Sequence, residues 1–384
     1  MQWLRSARIQ SALLVIAVQF VGCGSDNTGM GPDDPGAGSW AAISAAGGHT
    51  CAVTTIGSMY CWGSTDGGSL GDGTGSDKLT PNPVNGTLTW ARVSAGNTDT
   101  CGLTTGGQAF CWGHNEYGEL GTGFAVSPSV PTAVAGGLNW NYIDAGRYHT
   151  CAIATNSDLY CWGLGQNLGA GVDGNVLSPT LVSGGLSWSS VSVGLNFTCG
   201  LTTGGDIYCW GANAEGQLGT GDTLRHDLPS RISGSQTWKA VAVGDTHACG
   251  ITTAEQAFCW GRGDEGELGD GTFTSQLIPT VVAGGQTWSS LEGGVRHTCG
   301  INATGQAYCW GQATDGKLGN GLASIQGSPA AVTGGQTWSS ITAATSHSCG
   351  ITTQAEAYCW GNGYFLGDNG AVSSSADPRQ VTDP

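Results

Sequence analysis

The stretch Thr50-Cys51-Ala52-Val53-Thr54-Thr55-Ile56-Gly57-Ser58-Met59-Tyr60-Cys61-Trp62-Gly63 carries two cysteines, an aromatic residue before the second and Trp-Gly after it. The same arrangement returns around Cys101/Cys111, Cys151/Cys161, Cys199/Cys209, Cys249/Cys259, Cys299/Cys309 and Cys349/Cys359. Self-similarity at a period near ~50 residues, punctuated by glycine, marks a repeat architecture.

Short β-branched and aromatic runs flank turns such as Thr55-Ile56-Gly57 and Thr104-Thr105-Gly106-Gly107, which is the pattern of a β-hairpin. A turn centred on residue 56 sets Cys51 opposite Cys61, and directly paired residues on antiparallel strands lie about 4.5–5.5 Å apart at Cα, a distance a disulfide spans. All seven pairs are therefore expected to be disulfides within their own hairpins. Zinc is the other reading of paired cysteines, but the intervening stretch suits a hairpin and no close Cys-x-x-Cys occurs. Side chains alternate along a strand, so the cysteines share one face while Tyr60 and Trp62 point to the other. A sheet apolar on both faces has to be covered on both, as when blades stack radially against their neighbours.

A full unit runs from one tryptophan to the next: Trp90-Ala91-Arg92-Val93-Ser94-Ala95-Gly96, the cysteine hairpin, Asn115-Glu116-Tyr117-Gly118-Glu119-Leu120-Gly121, then Pro131-Thr132-Ala133-Val134. The leading residues are Trp40, Trp90, Trp140, Trp188, Trp238, Trp288 and Trp338. Four short strands per unit predict an all-β, seven-bladed β-propeller over residues 40–384, with one disulfide per blade. An open solenoid would need distinct capping units, and the first and last repeats look ordinary. The link Val84-Asn85-Gly86-Thr87-Leu88-Thr89-Trp90 reads as a tight connection between paired strands. On that reading Trp40 to Ala45 completes the final blade beside Pro378-Arg379-Gln380-Val381 and closes the ring with strands from both ends. The segments Leu164-Gly165-Gln166-Asn167 and Asn362-Gly363-Tyr364-Phe365 are shorter than their counterparts, so two blades should carry shorter loops on one face.

The pattern Ala-Gly-x-x-His-Thr-Cys, hairpin, Tyr-Cys-Trp-Gly and then Gly-x-Leu-Gly, as in Gly118-Glu119-Leu120-Gly121 and Gly216-Gln217-Leu218-Gly219, resembles the regulator of chromosome condensation repeat. The resemblance covers roughly Trp40 to Pro384 and implies a seven-bladed propeller. It does not imply one function, because that family includes a nuclear nucleotide-exchange factor, a plant ultraviolet receptor and a secreted bacterial β-lactamase inhibitor. No functional residue of those proteins can be matched here, and a Gly-Trp-Arg-His-Thr segment of the photoreceptor type is absent.

Ahead of the repeats, Arg5 and Arg8 precede the apolar run Ala12-Leu13-Leu14-Val15-Ile16-Ala17-Val18, so residues 1–22 read as an export signal too short to span a membrane. Phe20-Val21-Gly22-Cys23 resembles a bacterial lipobox, which implies lipidation at Cys23. Ordinary signal cleavage is the alternative. Of the 15 cysteines, Cys23 alone has no repeat partner. Residues 23–39 read as a flexible tether. These features point to the cell envelope, at the outer membrane or cell surface, with the membrane reached through an N-terminal lipid.

The composition narrows the function. The chain has 384 residues, 68 of them glycine, which favours turn-rich β structure. It sets 28 Asp+Glu against 12 Lys+Arg, and a net charge of −16 repels phosphate backbones, so nucleic acid is not an expected partner. The acidity favours a protein partner with a basic patch.

Most residues that suggest a site also have a packing role. His49, His149, His247, His297 and His347 precede the first cysteine of five repeats, with Asp99 and Phe197 at the other two. Equivalent positions in a ring spread around an axis and do not converge on one ion, so these histidines read as structural. The Trp-Gly tryptophans Trp62, Trp112, Trp162, Trp210, Trp260, Trp310 and Trp360 read as blade-to-blade packing. Tyr117, Phe124, Tyr148, Phe273 and Tyr364 are not repeated and are better binding candidates. The segments Gly71-Asp72-Gly73-Thr74 and Gly269-Asp270-Gly271-Thr272 read as turns rather than calcium loops. No nucleophile arrangement, phosphate-cradling loop or pair of carboxylates can be placed, and no cofactor or metal is expected. The expected function is non-catalytic protein binding by a monomer through loops on one ring face. A carbohydrate or cell-wall lectin, an inhibitor of an exported enzyme and a hydrolase with loop carboxylates or histidines converging at the central channel are the alternatives.

Overall fold

Alternating β-branched runs and glycine turns fold each repeat into an antiparallel meander. In the first, β1 (Trp40–Ala46), β2 (His49–Thr54), β3 (Met59–Gly63) and β4 (Lys78–Pro83) hydrogen-bond in chain order. Six further four-stranded sheets begin at Trp90, Trp140, Trp188, Trp238, Trp288 and Trp338. This is a computed structural model that describes residues 38–384. The export signal of residues 1–22, lipidation at Cys23 and the tether as far as residue 37 lie outside the described residues.

Register follows the hairpin logic, and the two cysteines of every repeat are direct partners across the second and third strands of their own blade. Disulfides join Cys51 to Cys61, Cys101 to Cys111, Cys151 to Cys161 and Cys199 to Cys209. They likewise join Cys249 to Cys259, Cys299 to Cys309 and Cys349 to Cys359. The Cα atoms are 4.1 Å apart in the first pair and 4.0 Å in the last, a little closer than the about 4.5 Å of an unbridged pair. Every one of these cysteines is buried and bonded, which leaves no thiolate for zinc.

Each core lies between blades rather than within one. Cys101, Leu103, Cys111 and Leu120 of blade 2 pack on Trp140, Ile143, Ala152 and Trp162 of blade 3, which is the two-faced burial that alternation demands. The Trp-Gly tryptophans are fully buried, each packed tilted or edge-on against the leading Trp of its own blade.

Two glycines of the repeat are required by close approach. Gly63 adopts φ +106, and a Cβ there would meet Gly48 O at 2.6 Å. Gly71, at φ +70, lies under the next blade, where a Cβ would fall 2.5 Å from Trp112 Nε1. Trp-Gly and Leu-Gly therefore recur because only glycine supplies these backbone angles and this space.

Inner strands touch in succession around an axis, β1 against Trp90–Ala95 and against Trp338–Ala343 of the last blade, which closes a ring around a channel. The strand exchange expected from the 84–90 link does not occur. β1 pairs with β2 of its own blade, and the last blade is complete from Trp338 to Gln380. The link is not a hairpin turn. It carries the chain from the outer edge of one blade to the inner strand of the next, where Trp90 N donates to Gly57 O at 2.8 Å. At closure Trp40 N makes the same contact with Ala355 O at 2.8 Å, so the first and last blades meet as any neighbours do. The two short loops are present, and both are drawn tight. Gly165 N donates to Gly174 O at 2.8 Å and Gly363 N to Ser373 O at 2.9 Å, and the flanking strands lengthen into them.

Candidate protein-binding face and channel

The loops after Trp-Gly are clamped at one point. In Gly-x-Leu-Gly the leucine is buried, and the carbonyl just before it accepts the indole N–H of the next blade, as Ser69 O does from Trp112 Nε1 at 2.9 Å and Glu119 O from Trp162 Nε1 at 2.8 Å. The same carbonyl accepts a hydroxyl: Thr100 Oγ1 donates to Ser69 O at 2.8 Å and Thr298 Oγ1 to Glu267 O at 2.7 Å. Because those hydroxyls spend their protons on carbonyls, the histidine that meets each must donate from Nε2, His49 to Thr100 at 2.8 Å and His247 to Thr298 at 2.8 Å. His149, His297 and His347 bridge likewise to Thr198, Ser348 and Thr50 of their neighbours. Burial pushes His49 and His247 down to about 4, and His149 and His347 down to about 3, which keeps the rings neutral. The five histidines are thus inter-blade struts. Among the described residues, no group of three or more His, Cys, Asp or Glu is placed to hold a metal ion.

Beyond the clamp parts of the loops stand clear of the core. Phe124 is 70% exposed and Leu224 68%, and exposed acids ring the same face: Asp66, Glu116, Asp173, Asp227, Asp264 and Asp315, one from each of six blades. The sequence-derived aromatic candidates divide. Tyr117 and Tyr148 meet edge to face, with ring centroids 5.1 Å apart, and Arg147 lies 5.4 Å over Tyr148. Phe124 belongs to the same blade 2 loop, where Asn115 Nδ2 holds Phe124 O at 2.7 Å and Val126 O at 2.8 Å. Phe273 lies instead over Gly327 at the junction of blades 5 and 6, and Tyr364 packs on Phe365 and donates to Asp77. The Asp-Gly segments are turns, in which Asp72 and Asp270 accept the N–H of Thr74 and Thr272 at 2.8 Å.

The channel holds residues that sequence reading did not single out. Its mouth on the loop face is a ring of small residues, including Ala46, Gly146, Gly194, Gly244, Gly294 and Ala344, with Arg147 and Asp245 at the rim. One pleat deeper lie Ser44, Ser94, Asp144, Ser192, Glu292 and Thr342. Most of these side chains tie one blade to the next: Ser44 Oγ accepts Ala95 N at 3.0 Å, Ser94 Oγ accepts Ala145 N at 2.9 Å, Asp144 Oδ2 accepts Val193 N at 2.7 Å and Ser192 Oγ accepts Val243 N at 3.1 Å. Glu292 breaks the belt and extends into the lumen. Arg92 lies 4.3 Å over the Tyr142 ring one pleat further down. Confinement pushes Asp144 up to about 6 against the pull of Val193 N–H, Ser94 and Arg92. Confinement and the Asp144 charge push Glu292 upward too. Two carboxylates therefore do converge, from inner strands and not from loops. The signal was present: the third and fifth positions of the Trp strand hold Ser, Ala or Thr in most repeats but Arg92, Tyr142, Asp144 and Glu292 in three.

Comparison with known proteins adds a lineage to this geometry. The family pattern described as "Regulator of chromosome condensation (RCC1) repeat" matches residues 106–153, 204–251 and 255–301, and a second pattern of the same description matches 90–119, 141–167, 188–217 and 238–267. No curated protein sequence matches significantly. Among solved structures, human WBSCR16 is similar at 20% identity over 80% of this chain and 84% of its own, with a TM-score of 0.74. Yeast RCC1 (Prp20) bound to Kap60 is similar at 19% identity over 84% and 83%, with a TM-score of 0.76. Prp20p from Saccharomyces cerevisiae, described with its binding properties to Gsp1p and histones, is similar at 18% identity over 90% and 88%, with a TM-score of 0.75. At such identities the likeness is one of fold.

Proposed function

This chain belongs to the regulator of chromosome condensation repeat family, and from that premise we propose that it is a non-catalytic protein-binding module, exported and anchored by a lipid on Cys23. The observation that carries the reading is the asymmetry of the ring. Hairpin positions repeat because they pack, whereas the loops of the opposite face carry Tyr117, Phe124, Arg147 and Tyr148, none of them repeated from blade to blade. Tyrosine and arginine are the residues that dominate binding energy at interfaces, and variable loops on a rigid scaffold are where specificity resides. The yeast relatives are described with protein partners, Kap60 in one case and Gsp1p and histones in the other, which supports the class of function and not the partner.

Seven disulfides favour an oxidising, extracellular environment. The Arg5/Arg8 leader and the lipobox-like residues before Cys23 support export and anchoring. Mass spectrometry of the mature N-terminal peptide tests the anchor, and an unmodified peptide beginning beyond residue 23 removes it. The six exposed acids on the loop face favour a partner with a basic patch and salt-sensitive association.

In-cell crosslinking followed by affinity capture tests the module itself. Replacing residues 122–130 of blade 2 by the corresponding blade 5 segment, or Arg147→Ala with Tyr148→Ala, should leave near-ultraviolet dichroism unchanged and remove the crosslinked partner. Undiminished capture by those variants, together with a turnover abolished by Asp144→Asn or Glu292→Gln, would replace binding by hydrolysis.

A further inference from the structure

The channel has the form of a receptacle for one cationic side chain. Seven inner strands supply its wall, and successive lumen-facing residues on a strand are two apart, or roughly 7 Å of depth per level. The first level, at the mouth on the loop face, is the small-residue ring that includes Ala46, Gly146, Gly194, Gly244, Gly294 and Ala344. The second is polar and contains the carboxyls of Asp144 and Glu292. The third holds Arg92, engaged with Tyr142 and not within salt-bridge distance of either carboxyl among the described residues. A narrow collar of small residues about one pleat deep, leading to two carboxyl groups, admits a flexible four-carbon stem that ends in a point charge, or the slightly longer arginine fork.

The charge balance is also open. Two acids face one guanidinium in the lumen, and Asp144 and Glu292 each disfavour ionisation while the lumen holds no further cation. Asp144 is held in place by Val193 N–H and Ser94 Oγ, so it presents its charge at a set position. Glu292 projects into the lumen beside it, without a hydrogen-bond partner among the described residues. At the rim Asp245 lies within the fields of Arg147 and Arg296, two positive charges that disfavour a broad basic surface at that point. A compact metal ion fits less well, because among the described residues these donors do not form a metal-binding group.

We propose that the channel binds a single lysine or arginine side chain of the protein partner, its stem in the small-residue collar and its cationic head on Asp144 and Glu292. This deepens the protein-binding reading and rests on it, but it is testable without the partner. The oxidised chain is titrated by calorimetry with n-butylammonium and n-butylguanidinium, with n-butanol as the uncharged stem and calcium chloride as the compact cation. One saturable site for the organic cations is expected. Its affinity should rise between pH 5.5 and pH 8 with proton release, because binding draws Asp144 and Glu292, the carboxyls that share the lumen with Arg92 and Tyr142 below the Arg147 and Asp245 rim, into their ionised form. Glu292→Gln and Asp144→Asn should each weaken it by about tenfold or more, the loss expected for a charge-assisted contact, and Asp227→Asn on the outer rim should leave it unchanged. Absence of saturable binding, equal affinity for n-butanol, tighter binding of calcium, or Glu292→Gln behaving as the parent would overturn the assignment. Failure of the loop-swap capture with cation binding intact would instead remove the partner and leave the receptacle.

Discussion

Asp99 is where the strut pattern fails. It occupies the histidine position of blade 2, is 1% exposed, and neither carboxylate oxygen has a partner. Burial and the nearby Glu119 charge push its carboxyl well above the usual range. A carboxyl whose folded pKa is raised is best tolerated when protonated, so its contribution is most favourable below about pH 4 and is lost as pH rises toward the folded value. Thr150, the hydroxyl that a histidine would reach, is in place and donates to Glu119 O at 2.8 Å. Asp99→His should therefore restore a strut and raise stability by about 1–3 kcal/mol at pH 7.5, the cost of an unsatisfied buried polar group. The gain should shrink toward pH 4, because a buried neutral imidazole loses its advantage as pH falls below about 6.5. Denaturant unfolding of both proteins at pH 4.5 and 7.5 measures this, and an equal gain at both values would contradict the account.

Between elements, the His-to-hydroxyl strut and its replacement behave as a unit. At the junction of blades 4 and 5, Phe197 stands in place of histidine and Ala248 in place of threonine, both fully buried. An apolar pair substitutes for a hydrogen-bonded pair, whereas a mixed pair would strand a buried polar group. In a double-mutant cycle on His149 and Thr198, the double variant His149→Phe/Thr198→Ala should be less destabilised than the two singles summed, by about 1–2 kcal/mol. Additive losses would mean that the two positions pack independently. The strut and the channel belt also compensate each other: blades 2 and 3 lack the histidine strut but keep Ser94 to Ala145 N, while blades 5 and 6 lack the belt contact at Ala242 but keep His247 to Thr298.

For the whole ring, closure is non-covalent and uses the same kinds of contact as the junctions that keep the histidine strut. Trp62 Nε1 donates to Phe365 O at 3.0 Å, His347 Nε2 meets Thr50 Oγ1 at 2.7 Å, and Trp40, Ala52 and Trp62 share one core with Ile351, Cys359 and Val381. Gly38 lies beside the Asp383 side chain, so the ends of the described ring are adjacent. A circular permutant joining residue 383 to residue 38 and opened within the 283–287 link should fold, with stability lowered by less than about 2 kcal/mol, as permutation at exposed links usually allows. Cooperative thermal unfolding checks this. Loss of the transition would show that the 7–1 junction is weaker than its contacts indicate.

The repeat, the hairpin register, the seven disulfides from Cys51–Cys61 to Cys349–Cys359 and the two-faced burial of each blade were legible in the sequence, because all of them follow from period-two alternation and contacts within a short stretch of chain. The structural role of the histidines was legible as well, but their partners were not, since each hydroxyl lies in the following blade. The path of the 84–90 link was misread for the same reason. Its length fits a turn between paired strands, and only packing against the neighbouring hairpin decides that it crosses to the next sheet. Asp144 and Glu292 belong to blades 3 and 6, and nothing local relates them. Closing seven sheets around one axis brings their strands to a common lumen, so the candidate receptacle belongs to the tertiary structure alone.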